Sequence, residues 1–257
     1  MPTPQTVFIT GASSGLGQAL ARHYARQGAV LGLAARRGDA LQTLAATLGG
    51  AIHCYSLDVT DAMALQAAGR DFMARAGVPD IVIANAGISV GTLTEEADDM
   101  TAFARVFDVN VMGAVHTFQP FVAAMRDAGR GRLVGIASVA GVRGLPGAGA
   151  YSASKAALRT YLEALRVEMR DSGLRVVCIS PGYIATPMTA INPYAMPFLL
   201  PADEAARRIA RVIAAGQAQA VVPWQMGLVA TLMKWLPTGL YDRLAAKAGR
   251  KPRHLPL

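Results

Sequence analysis

The feature that most constrains this chain is a regular alternation of short β-rich runs with longer helical patterns. Thr6–Thr10 is followed by Leu16–Gln27, Val30–Ala35 by Asp39–Leu48, and Ala51–Leu57 by Asp61–Ala76. Ile81–Ala84, Met100–Arg126, Arg132–Ala137, Ser152–Asp171 and Arg175–Ile179 continue the series. Strand then helix, repeated, is the pattern of a parallel sheet, because each crossover must carry the chain back to the edge where the previous strand began. Val7–Ile9, Ile81–Ile83 and Val176–Ile179 are continuous apolar runs, as expected of strands covered by helices on both faces. The pattern predicts six strands in a doubly wound α/β sheet. With 53% hydrophobic residues the chain is no disordered segment, and no linker, repeat or low-complexity stretch divides it. Residues 1–223 therefore read as one domain, and 224–257 as an apolar, then basic, C-terminal extension.

A sheet of this kind binds ligands at the carboxyl ends of its strands, near the switch point, so the residues of interest should follow strands. After the first strand comes Thr10-Gly11-Ala12-Ser13-Ser14-Gly15-Leu16-Gly17, opening a helix. Small residues there let the backbone turn tightly and approach a pyrophosphate, whose charge the helix N-terminus stabilises. The same stretch also matches a G-x-S-x-G nucleophile elbow through Ser13, which makes a serine hydrolase a competing reading. Chain order argues against it, since a hydrolase elbow normally follows several earlier strands. At the end of the second strand, where a dinucleotide site for NAD carries an acidic residue, stand Arg36 and Arg37. A guanidinium can hold a 2′-phosphate by a forked, charge-assisted contact, so the expected cofactor is NADP(H) rather than NAD.

Tyr151-Ser-Ala-Ser-Lys155 opens a long helical pattern, which puts Tyr151 and Lys155 on one helix face. A phenol normally titrates near pH 10, and a fixed ammonium beside it favours the phenolate, bringing acid–base work within reach of neutral pH. Ser138 ends the strand Arg132–Ala137 and brings a hydroxyl to the same sheet edge. Joined in order with the glycine loop, Asp58-Val59, Asn85-Ala86-Gly87, Asn110 and Pro181-Gly182, these motifs make the sequence resemble the short-chain dehydrogenase/reductase family over almost its whole length. The resemblance implies a Rossmann-like doubly wound parallel sheet in three layers, α/β/α. It implies an NADP(H)-dependent interconversion of a ketone and a secondary alcohol. Tyr151 would be the general acid in reduction. Lys155 would hold the nicotinamide ribose and depress the tyrosine pKa, Ser138 would orient the carbonyl, and Asn110 would bend its helix and bind a water relaying protons to Lys155. Asp58 and Val59 would hold the adenine, Asn85, Ala86 and Gly87 would brace the sheet beside the cofactor, and Pro181, Gly182, Ile184 and Thr186 would hold the carboxamide. Ala84 stands where many members carry a second asparagine.

Tyr183 to Leu200 carries no charged residue, which favours a small lipophilic carbonyl substrate, with a long-chain 3-oxo compound one candidate. Behind it, Trp224 to Leu236 is largely apolar and is followed by Lys247, Arg250, Lys251 and Arg253. A hydrophobic segment beside basic residues can rest on an anionic membrane surface, or it can pack over the cleft or between subunits. The resemblance implies a homodimer or homotetramer built on Met100–Arg126 and Ser152–Asp171. Net charge is +8, yet the only dense basic run is Lys247 to Arg253, so nucleic acid is not an expected partner. Cys54 and Cys178 form no disulfide framework, and with His23, His53, His116 and His254 they form no metal-ligand spacing, so no metal is expected. Met1-Pro-Thr-Pro-Gln5 has no charged leader, and a cytoplasmic location is expected. A non-catalytic NADP-binding sensor or scaffold on the same fold is the alternative function.

Overall fold

The computed structural model describes residues 4–255. The reading of residues 1–5 as free of a leader thus falls mostly outside the described residues. The strands are β1 (Thr6–Thr10), β2 (Val30–Ala35), β3 (Ile52–Ser56), β4 (Ile81–Ala84), β5 (Gly131–Ile136) and β6 (Leu174–Pro181), joined by helices α1 (Gly15–Arg26), α2 (Gly38–Thr47), α3 (Ala62–Ala76), α4 (Asp99–Phe107), α5 (Gly113–Asp127) and α6 (Gly149–Glu168). The alternation read above stops at Ile179, whereas the chain goes on. After a small parallel pair, β7 (Ile184–Ala185) and β8 (Leu200–Pro201), which flanks α7 (Pro187–Ala190), come α8 (Ala202–Ala215), a further sheet strand β9 (Gln219–Val222), α9 (Trp224–Trp235) and α10 (Thr238–Ala245). The main sheet is therefore seven-stranded, not six-stranded, in the order β3-β2-β1-β4-β5-β6-β9, with every pairing parallel. The seventh strand escapes a sequence reading because it is four residues long and lies on the sheet edge, with Gln219 exposed and only Val222 fully buried.

Why the central strands are apolar throughout is plain from the two cores. Val7, Ile9, Ile81, Ile83, Val134 and Ile136 face the layer of α1, α2 and α8, where Leu20, Leu41 and Ile209 meet them. Phe8, Val82, Leu133 and Val176 alternate to the other face and pack on Phe72, Phe118, Phe121 and Leu162 of α3, α5 and α6. Phe8 is the hinge of that second core, with ring centroids 5.5 Å from Phe72 and 4.9 Å from Phe121. All three are fully buried, and truncating Phe8 to alanine would cost about 3–5 kcal/mol.

The switch point lies between β1 and β4, which diverge to opposite halves of the sheet. Their carboxyl ends, Thr10 and Ala84, open a crevice that every functional segment approaches. The boundary expected at 223/224 falls between β9 and α9, and contacts cross it. A methyl group on Gly182 would meet the Met226 side chain at 2.5 Å, and Gly91 N donates to Pro252 O at 2.8 Å.

Candidate active site

The crevice is a cleft of about 630 Å³ whose floor is the glycine loop. Gly11 sits at φ +67°, a left-handed conformation, and a side chain there would strike Ala86 Cα at 2.7 Å. A methyl on Gly17 would lie 2.3 Å from Gly11 O. The loop is thus wound as tightly as a backbone permits, and only glycine fits. Asn85 locks it from β4, its Nδ2 donating to Thr10 O at 3.0 Å and to Gly11 O at 3.2 Å. Ser14 precedes α1 without capping it by its side chain, so the first N–H groups of the helix face the cleft with no side-chain partner. Such a cradle accepts a pyrophosphate, which is the fit expected of a dinucleotide. Ser13 Oγ accepts a hydrogen bond from Arg37 at 3.2 Å, and among the described residues no histidine reaches it, so the nucleophile-elbow reading of Ser13 finds no base.

Arg36 and Arg37 lie exposed at the cleft's outer end, beyond Ala35. Beside them Asp58 is held on both oxygens. Oδ1 accepts from Thr60 N at 3.0 Å and Thr60 Oγ1 at 2.9 Å, while Oδ2 pairs with Arg105 of α4. Burial pushes this carboxyl up, but the Thr60 and Arg105 hydrogen bonds outweigh it and keep the pKa below its ordinary value. Val59 lines the same wall.

At the inner end, Ser138 and Tyr151 meet. Ser138 Oγ accepts from Ala140 N at 3.1 Å, which leaves its own hydrogen free to donate. Tyr151 stands in the first turn of α6, whose start is pinned by Thr92: Thr92 N donates to Gly147 O at 3.0 Å and Ala150 N donates to Thr92 Oγ1 at 3.3 Å. Lys155, four residues on, is 4% exposed and donates to Ile136 O at 2.9 Å. Its ammonium lies 5.9 Å from the Tyr151 ring centroid. Burial lowers Lys155 to about 8, with Cys178 pulling weakly the other way. Burial also raises Tyr151, and the Ser138 hydroxyl pulls it back. The expected lowering of the phenol by the ammonium is therefore not the balance in this chain, because desolvation of the phenolate dominates.

Asn110 sits in a π-helical turn, Asp108–Met112, that joins α4 to α5 where one long helix was expected. The wider turn aims its buried side chain at the loop after β4. Oδ1 accepts from Ile88 N at 2.8 Å, and Nδ2 donates to Ile88 O and to Ser154 Oγ, both at 3.0 Å. Asn110 is thus a brace behind the cleft, while the other predicted residues line it. Gly87 lies between brace and lysine, and a methyl there would press on Asn110 Oδ1 at 3.2 Å and Lys155 Nζ at 3.3 Å.

Pro181, Gly182, Ile184 and Thr186 form the far wall, joined by Pro187, Met188 and Thr189, which the motifs do not mark. A Thr186-x-x-Thr189 capping box was the available signal, with Thr186 N donating to Thr189 Oγ1 at 3.0 Å. The larger omission is the C-terminal tail. Arg253 pairs with Asp99 at 2.8 Å and Glu96 at 3.1 Å, Lys251 donates to Met188 O at 3.2 Å, and Gly249 lies against Tyr194. No local pattern announces these contacts.

A family model described as short chain dehydrogenase matches residues 5–194. An uncharacterized oxidoreductase of Myxococcus xanthus is 41% identical over 246 residues, 95% of this chain and 97% of its own. An alcohol dehydrogenase from Thermococcus sibiricus, complexed with 5-hydroxy-NADP, superposes with a TM-score of 0.75 at 26% identity, over 85% of this chain and 95% of its own. A 3-ketoacyl-(acyl-carrier-protein) reductase from Brucella melitensis, complexed with NADH, gives 0.76 at 25% identity, over 84% and 94%. A glycine-wound nucleotide cleft ending in a serine, a tyrosine and a buried lysine, carried by a sequence that matches over this length, places the chain in the short-chain dehydrogenase/reductase family of nicotinamide-dependent oxidoreductases.

Proposed function

We propose that this protein is an NADP(H)-preferring reductase of lipophilic ketones. The observation that carries the reading is the pair of hydroxyls, Ser138 and Tyr151, at the inner end of the nucleotide cleft with the Lys155 ammonium buried behind them. Gly11, Ser13, Ser14, Gly15, Leu16 and Gly17 would hold the pyrophosphate, Asp58 and Val59 the adenine end, and Asn85, Ala86 and Gly87 the floor. Pro181, Gly182, Ile184 and Thr186 would take the carboxamide. When bound, the nicotinamide supplies the hydride in reduction and accepts it in oxidation.

The chain's own residues supply the proton and the electrostatics. Ser138 donates a hydrogen bond to the carbonyl oxygen, and Tyr151, protonated at neutral pH, gives its phenolic proton to that oxygen as charge develops on it. Lys155 stabilises the phenolate left behind. Asn110 positions the set by tying the loop after β4 to α6 through Ile88 and Ser154.

Arg36 and Arg37 support NADP(H), since both are exposed at the cleft's outer end and Arg37 already reaches Ser13. The uncharged segment from Tyr183 to Leu200, with Met188, Ile191 and Phe198 standing exposed, supports a lipophilic substrate. Exposed Met100, Met112 and Val167 on the outer helices support a homodimer or homotetramer built there, and the two free cysteines fit a cytosolic setting.

Tyr151→Phe tests the chemistry. It keeps NADPH binding and loses about 10²–10⁴-fold in turnover, whereas wild-type turnover would overturn the mechanism. Turnover by the wild type that rises along a series of ketones of increasing chain length supports the substrate class, and a preference for short polar ketones would overturn it.

A further inference from the structure

Of the fourteen large hydrophobic side chains that stand exposed among the described residues, six lie on the α9–α10 hairpin. Trp224, Leu228, Leu232 and Trp235 recur with the helical period on one face of α9 and are 64–78% exposed. Leu240 and Leu244 continue the surface on α10. The opposite face of α9 is also apolar, since Met226 and Ala230 are buried toward β9 and Gly182. A helix apolar on both sides needs a cover on both sides.

The hairpin is not loose. Arg143, on the loop between Ser138 and Tyr151, donates to Met233 O at 3.0 Å and Leu236 O at 3.1 Å and lies 4.1 Å from the Tyr241 ring centroid. Tyr241 OH in turn donates to Gly144 O at 2.6 Å. The apolar edge is therefore fixed to the active-site loop.

The charges around it select the cover. From Trp224 to Arg250 the exposed ionic residues are Lys234, Arg243, Lys247 and Arg250 against the single Asp242. Lys251 and Arg253 are spent inside the fold on Met188, Asp99 and Glu96. Two copies packed through this face would bring like charges together, which costs affinity, whereas an anionic lipid surface complements them. Tryptophan at both ends of α9 suits a bilayer interface, where its ring and N–H are both satisfied. No helix among the described residues is long and apolar enough to cross a membrane, so the contact lies in the interface plane.

We propose that the α9–α10 hairpin docks this protein on an anionic lipid bilayer surface, its Trp and Leu side chains entering the interface and Lys234, Arg243 and Lys247 meeting the headgroups. Docking stands on the hairpin alone; only its benefit to a lipophilic substrate rests on the function proposed above.

The protein has two tryptophans, Trp224 and Trp235, so tryptophan emission, excited selectively over tyrosine, reports this face alone. Full-length protein is titrated with phosphatidylcholine vesicles with and without phosphatidylglycerol, and its co-sedimentation is measured in parallel. The expected result is a blue shift and co-sedimentation with the anionic vesicles, both weakened by salt. Leu228→Glu/Leu232→Glu, two exposed positions, weakens binding more than about tenfold, and each of Lys234→Gln, Arg243→Gln and Lys247→Gln weakens it about fivefold. All keep reductase activity on a short soluble ketone, which separates failure of docking from failure of the enzyme reading. No vesicle-dependent shift overturns the proposal. So does a lipid-free blue shift that grows with protein concentration, accompanies a doubled mass in sedimentation and vanishes in Leu228→Glu/Leu232→Glu, which would assign the face to a second copy.

Discussion

The two ends of the cleft are built by different means. From β1 to β4 the walls are backbone: a loop wound on Gly11 and Gly17, helix N–H groups, and an asparagine that reads main-chain carbonyls. From Met188 to the C-terminus they are held by side chains that reach across the chain. Arg253 pairs with Asp99 154 residues away, and Arg143 holds carbonyls 90 and 93 residues further on. A backbone wall tolerates almost no substitution within it, while a wall of long-range side-chain pairs can change without disturbing the first. One end is thus suited to an invariant ligand and the other to a variable one.

The sharpest way to break that contrast is Gly17→Ala. Its methyl would press on Gly11 O at 2.3 Å and on Asn85 Nδ2, the group that ties the loop, at 2.5 Å, so the loop itself must open. Overpacking of this kind costs about 1–3 kcal/mol, and NADPH affinity should fall roughly 10- to 100-fold by fluorescence titration. Unchanged affinity would mean that the loop is softer than its geometry implies. Next comes Arg36→Ala/Arg37→Ala, which touches only side chains at the outer end. Losing a charge-assisted contact costs about 1.5–3 kcal/mol, so the preference for NADPH over NADH should drop roughly tenfold or more, with NADH binding nearly unaltered. An unchanged ratio of dissociation constants would remove the case for NADP.

The contrast also explains what the sequence made legible. The glycine loop, Asn85, Ser138, Tyr151 and Lys155 are each fixed by neighbours a few residues away or by a strand end, so spacing finds them. Strands covered on both faces announce themselves as apolar runs, but β9, a short edge strand with an exposed Gln219, does not. Asn110 was found by its place in the motif order, yet its side-chain work depends on a π-turn that no periodicity encodes. The Arg253, Lys251 and Arg143 contacts join segments far apart, and charge alone suggested only that the tail was basic.

A third, smaller effect is read in pH. Burial lowers Lys155 to about 8, so in the free enzyme its ammonium is lost as pH rises through that value, while Tyr151, raised by the same cause, keeps its proton. kcat/KM for ketone reduction should be level through neutrality and fall about tenfold per pH unit above roughly 8, since the pH dependence of kcat/KM follows the free enzyme. A profile flat to pH 10 would detach Lys155 from the chemistry. The sign for stability is opposite: a charged buried lysine disfavours the folded state, and that penalty is relieved between about 8 and its ordinary 10.5. Lys155→Met should therefore gain in Tm over wild type most at pH 7 and least at pH 10.

The smallest effect tests the other wall. Arg253→Gln releases the tail from Asp99 and Glu96 without touching any residue that lines the cleft. What it frees is the strap whose Pro252 carbonyl accepts from Gly91, whose Lys251 holds Met188 O, and whose Gly249 lies against Tyr194. The far wall should loosen while the glycine loop, on the other side of the switch point, stays wound. NADPH affinity should then be unchanged and KM for the ketone should rise roughly two- to fivefold, modest because buried Asp99 keeps its hydrogen bond from Leu93 N and the pair with partly exposed Glu96 is screened. Raising salt on the wild type should reproduce part of the rise, because the same pair is weakened. If NADPH affinity falls in step with KM, the two walls are one mechanical unit, and the division between a backbone-built end and a side-chain-built end does not describe how this enzyme works.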